Sequence, residues 1–138
     1  MTKEILARLF YSFIFSLTIS LVISWTNYQT TEGFEGKQAD FILVILTFLL
    51  CIINLMSSLT ALFNLKTQIR ENLILSALSF FGLPMIILII LLILFLVNRN
   101  PTETFLSLIM FSIPSISYLL SLLYNFIKFR ENNQLKLK

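Results

Sequence analysis

The chain has 138 residues, 57% hydrophobic and 12% charged, with a formal net charge of +3 and no histidine. A soluble domain carries about 25% charged and about 45–50% apolar residues, so both departures point to a chain solvated by lipid and exclude an ordinary water-soluble fold. With no histidine and only Cys51, it holds no His/Cys metal site, no Ser-His-Asp or Cys-His pair and no internal disulfide; no cofactor or catalytic residue is expected.

Four apolar stretches follow in order: Ile5–Trp25, Phe41–Leu65, Leu73–Val97 and Thr104–Phe129. Each approaches or exceeds the ~20 residues that cross ~30 Å of hydrocarbon, and none alternates like a barrel strand. The expected fold is an all-α integral membrane four-helix bundle, a single transmembrane domain over residues 1–138. Connections as short as Lys66–Asn72 and Asn98–Glu103 make successive helices antiparallel neighbours.

In the first stretch Lys3 and Arg8 precede an apolar run, as in a signal peptide, with Val22 and Ser24 at the small-residue positions of a cleavage site. Trp25 and Tyr28 follow at once as an interfacial aromatic pair, which favours a retained helix. Ser12, Ser16, Ser20 and Ser24 recur every four residues, with Arg8 one turn earlier. Such a small-residue stripe lets another helix approach closely, its hydroxyls bonding back to carbonyls of the preceding turn. A polar path for an ion or solute is the functional counterpart. Arg8 is expected to snorkel to the headgroups.

The segment Thr26–Asp40 reads as an acidic, flexible external loop. Its Glu32, Phe34, Glu35 and Lys37, with glycines among them, are candidate contacts for a partner. In the second stretch Thr47, Cys51, Asn54, Ser58, Ala61 and Leu65 lie in 4-3-4-3-4 steps, the seam of left-handed helix packing. Asn54 is the most polar side chain read at depth, and an unpaired amide in hydrocarbon costs several kcal/mol. It is expected to bond a serine of the first or fourth helix.

The third stretch holds the run Met85–Val97, 13 residues without a polar side chain. It should face lipid or another subunit. Before the fourth, Asn100 is placed to cap, Pro101 to open the helix and Glu103 to close a capping box. The third and fourth stretches share Phe81-Gly82-Leu83-Pro84 and Phe111-Ser112-Ile113-Pro114. Both prolines fall near mid-membrane, making Gly82, Pro84 and Pro114 candidate hinges. Ser117, Ser121 and Asn125 continue a polar ridge, and residues 128–138 read as a basic cytoplasmic tail.

Lys3, Arg8, Lys66, Arg70, Lys128, Arg130, Lys136 and Lys138 fall on one side of the spans, against Lys37 and Arg99 on the other. The positive-inside rule then puts both termini in the cytoplasm. With Glu4, Glu71 and Glu131 on the basic side and Glu32, Glu35, Asp40 and Glu103 opposite, the faces carry +5 and −2. Charge scattered over three short segments does not form a nucleic-acid groove.

No span holds Asp, Glu, Lys or His at depth, so proton relays, voltage sensors and intramembrane proteases lack their parts. The frequency of Ile, Phe, Asn and Lys suits an AT-rich bacterial genome, hence a multi-pass protein of the bacterial cytoplasmic membrane. The expectation is a non-catalytic protein acting through a membrane protein partner or as a homo-oligomer, an immunity protein or defence-system membrane subunit by size class. The alternative is a small oligomeric channel or carrier with a Ser/Asn-lined path.

Overall fold

The computed structural model describes residues 1–30, 33–97 and 101–135, with the side chains of these except at 29, 30, 34, 35, 39, 95, 101–111 and 133–135. Helix α1 runs Thr2–Thr30 and α2 Phe34–Ser57, followed by a 3-10 segment, Ser58–Leu65. Then come α3 (Thr67–Glu71), α4 (Leu73–Val97) and α5 (Pro101–Leu135), with no strand among the described residues. Three described helices are long and apolar enough to cross a membrane: Thr2–Tyr28, Gly36–Leu65 and Leu73–Leu94. The remaining expected span, Thr104–Phe129, lies along α5, where the side chains of 104–111 are outside those described.

Helices α1 and α2 and the far end of α5 outrun the apolar stretches, whereas α4 keeps to Leu73–Val97 and α5 opens at Pro101, both as expected. Apolarity reports the thickness of hydrocarbon, whereas a helix stops only where its backbone ladder is interrupted. Thus the segment read as a flexible loop, Thr26–Asp40, is mostly helical. Helix α1 continues to Thr30 and α2 begins at Phe34, after Gly33, whose φ of 87° suits the one residue type without a Cβ. The two ends are tied by Asn27 Nδ2, which donates to Asp40 Oδ1 at 2.9 Å. Glu32 lies outside the described residues, as do the side chains of Phe34 and Glu35.

The segment read as a basic tail is likewise helical as far as it is described. Residues 128–135 continue α5, and Phe129 is buried with Phe126 against Phe80, at ring-centroid distances of 5.5 and 5.2 Å. An aromatic cluster of this kind holds the last turns of α5 to α4. Arg130 adds a hydrogen bond from its guanidinium to the Arg70 carbonyl of α3, and Asn132 Nδ2 lies 3.3 Å from Glu4 Oε1 of α1.

The second span contains a change of pitch. Ser57 and Ser58 donate to the carbonyls of Asn54 and Leu55 at 2.8 and 2.9 Å, both three residues back, and Thr60 Oγ1 lies 3.1 Å from that of Ser57. These hydroxyls compete with the four-residue ladder, and the segment tightens to three residues per turn. Ser58, Ala61 and Asn64 therefore stack on one buried face. The 4-3 seam expected from Thr47 to Leu65 thus breaks at its last member. Leu65 is 41% exposed, and Asn64 takes the inward position at 0%.

Helix α1 packs mainly on α5 and α2, the 3-10 segment on α4, and α4 on α5; α2 and α4 barely touch. Asn72 Oδ1 accepts the N–H groups of Ile74 and Leu75 at 3.0 and 3.2 Å, capping the start of α4.

Candidate functional site

The feature with most chemistry is a seam of hydroxyls and amides running between α1, α2 and α5. The serine stripe faces protein: Ser12, Ser16, Ser20 and Ser24 are all buried. Ser12 and Ser20 donate to the carbonyls of Arg8 and Ser16, four residues back, at 3.1 and 2.7 Å. Ser16 instead reaches across to α5, donating to the Pro114 carbonyl at 2.7 Å. It also accepts from Ser117 at 3.1 Å and lies 3.7 Å from Cys51 Sγ on α2. Three helices meet at this one hydroxyl.

One level along, Asn54 Nδ2 donates to Ser115 Oγ at 3.1 Å, and Ser58 bonds the Tyr118 hydroxyl. Farther on, Asn125 Nδ2 donates to Ser12 Oγ at 3.0 Å and to the Ser121 carbonyl at 3.1 Å. The order of these pairs gives chain direction. Between α1 and α5, Ser12 meets Asn125 and Ser16 meets Ser117, so the two are antiparallel. Between α2 with its 3-10 continuation and α5, Asn54 meets Ser115 and Ser58 meets Tyr118, so they are parallel.

Arg8 is held within the chain. Its side chain is 14% exposed, with Nη1 donating to the Asn125 carbonyl at 3.3 Å and Nη2 to Glu4 Oε1 at 3.1 Å. A carboxylate one turn earlier and a carbonyl across the interface satisfy the guanidinium within the protein. A second polar knot joins the 3-10 segment to α4, where Asn64 Nδ2 bonds Ser79 Oγ and Thr60 Oγ1 donates to the Ser79 carbonyl at 2.7 Å.

The candidate hinges sit inside unbroken helices. Pro84 and Pro114 are buried within α4 and α5. At Gly82 an added Cβ would come no closer than 3.5 Å to Leu78 Cδ1, an ordinary contact, so no neighbouring backbone demands glycine there. Ser121 is half-buried and lines an open groove of about 650 Å³ between α1 and α5, with Tyr11, Phe15 and Tyr124. Lys37 holds its ammonium 5.6 Å from the Tyr28 ring centre, and Tyr28 stacks on Trp25 at 6.1 Å. Asn100 and the Glu103 side chain lie outside the described residues.

Sequence reading missed Ser115, Tyr118, Asn64 and Ser79. A signal for the first two exists: Ser115, Tyr118, Leu122, Asn125 and Phe129 advance in 3-4-3-4 steps, and all five are buried. The four-residue ridge Ser117, Ser121, Asn125 drew attention away from it. Buried polar atoms without a hydrogen-bond partner among the described residues include Asn54 Oδ1, Asn64 Oδ1, Ser112 Oγ and Asp40 Oδ2. The same residues contain no group of three His, Cys, Asp or Glu side chains placed to hold a metal ion. Comparison with protein-family models, curated proteins and solved structures finds no match to this chain.

Proposed function

We propose that the protein is a four-helix bundle of the bacterial cytoplasmic membrane with both termini on the cytoplasmic side, acting without catalysis through contacts with another membrane protein. An immunity protein or a defence-system membrane subunit is the class that fits. The observation that carries the bundle and its lack of catalysis is the division of labour in the helices, and α4 is the face left for a partner. Buried hydroxyls and amides of α1, α2 and α5 bond one another within the chain, while α4 turns aliphatic side chains such as Ile86, Ile90 and Leu94 outward. The antiparallel and parallel pairings with α5 support an up-down-up-down path, and the charge asymmetry supports the orientation.

Two measurements test it. In a Cys51→Ser background, a cysteine at Lys37 should react with an impermeant maleimide added to intact cells, and one at Gln68 only after permeabilisation; the reverse pattern overturns the topology. A photoreactive residue at Ile90 or Leu94 should yield a discrete heavier adduct in native membranes, and lipid adducts alone would overturn the partner reading.

The channel or carrier alternative has one observation in its favour. Asn54 Oδ1 and Ser112 Oγ are buried without a partner among the described residues, Asn54 being the residue whose Nδ2 bonds Ser115. Asn54→Leu should then lower solute flux in proteoliposomes, and wild-type protein silent to ions and small solutes would exclude it.

A further inference from the structure

At the end of the molecule where α1 turns into α2 lies an open cavity of about 1160 Å³, slightly above the ~300–1,000 Å³ of ordinary small-molecule pockets. Its lining is graded. Leu21, Phe41 and Ile42 form an apolar trough, and toward the turn the wall becomes Trp25, Tyr28 and Lys37. Lys37 is the only charged side chain lining it among the described residues, and its ammonium is held over the Tyr28 ring at the mouth. Asp40 is one turn from Lys37, but its carboxylate is buried and accepts from Asn27 instead of lining the cavity.

We propose that this cavity binds one anionic phospholipid, its phosphate against Lys37 and an acyl chain along the trough. The grading from cation through aromatic ring to aliphatic wall follows the order of an anionic lipid's parts from headgroup to chain. Lys37 selects the lipid, because a zwitterionic headgroup would bring its own ammonium beside it, and the contact has to outweigh Glu32 and Glu35 of the same segment, whose side chains lie outside those described. The site needs only that the chain lies in a bilayer, and it is independent of any protein partner.

Trp25 is the only tryptophan in the chain and lines this cavity, so its fluorescence reports on this end of the molecule. The full chain is reconstituted in phosphatidylcholine vesicles containing phosphatidylglycerol or phosphatidylcholine brominated near the headgroup end of the acyl chains. Half-quenching of Trp25 should require about fivefold less brominated phosphatidylglycerol than brominated phosphatidylcholine, the factor that one lysine beside an anionic lipid gives. Lys37→Gln should abolish the preference, Lys37→Arg should keep it, and Lys128→Gln, at the far end of α5, should leave it unchanged. Equal quenching by the two lipids, a preference that survives Lys37→Gln, or a Trp25 shielded from both, as under a second copy of the chain, would each overturn the proposal.

Discussion

The α1–α5 interface and the outer half of α4 are made of opposite materials. The first is a run of serines and an asparagine, buried and cross-bonded; the second is isoleucine and leucine, largely exposed. In water the second would be the core and the first the surface. In lipid, a leucine gains little by leaving acyl chains for another helix, while a hydroxyl or amide gains a partner, and a small side chain lets two backbones close together. Apolar residues put such a chain into the membrane; small and polar ones decide which helices touch.

The α4–α5 aromatic cluster marks where that contrast can first be broken, because it holds by shape alone. Phe80 is fully buried against Phe126 and Phe129. Phe80→Ala is expected to destabilise the fold by about 2–3 kcal/mol, the cavity part of the cost without the water-transfer part, measured by reversible detergent unfolding. A change below about 0.5 kcal/mol would mean that α4 is not anchored there.

Ser16→Leu attacks the seam itself. Its hydroxyl lies 2.7 Å from the Pro114 carbonyl, and an isobutyl group would push α1 away from α5; about 1–3 kcal/mol of destabilisation follows. Ser16→Ala, which keeps the spacing and loses only the bonds, should cost clearly less. Equal losses would show that hydrogen bonding rather than close approach holds the interface. Asn125→Leu comes next. It removes the donor to Ser12 and should cost about 0.6–2 kcal/mol by the same measurement, a stabilised variant counting against the bond.

The sequence carried the helical class and the membrane-crossing stretches, because apolarity over more than ~20 residues is read directly against bilayer thickness. The serine stripe and Asn54 were legible for the same reason, being rare polar groups that hydrocarbon forces into pairs. The ends of α4 and the start of α5 at Pro101 were legible too; most helix ends were not, where α1, α2 and the far end of α5 run on past the apolar stretches. Nor was the pitch change at Ser58–Leu65, since it arises from which carbonyl each hydroxyl of Ser57 and Ser58 selects, a choice that no spacing encodes. That shift of about one residue exchanged Leu65 for Asn64 and hid the knot with Ser79. The Arg8 contact to α5 was hidden for a related cause, in that the carbonyl it reaches belongs to a helix 117 residues away in sequence.

The smallest expected effect sharpens the comparison from its other side. Leu94 is exposed on α4, away from the rest of the chain, so Leu94→Ala should change unfolding stability by less than about 0.5 kcal/mol. A soluble protein with that many bare aliphatic residues would be marking a docking surface, and in a membrane the same exposure is the resting condition of the helix. Stability therefore cannot reveal whether α4 has a partner, but the pair of readouts can. If Leu94→Ala leaves unfolding unchanged and yet weakens the photo-adduct formed from Ile90, the leucine contributes to binding and not to folding. A stability loss of 1 kcal/mol or more would instead show that the outer half of α4 packs within the chain, and the contrast with the α1–α5 seam would fail.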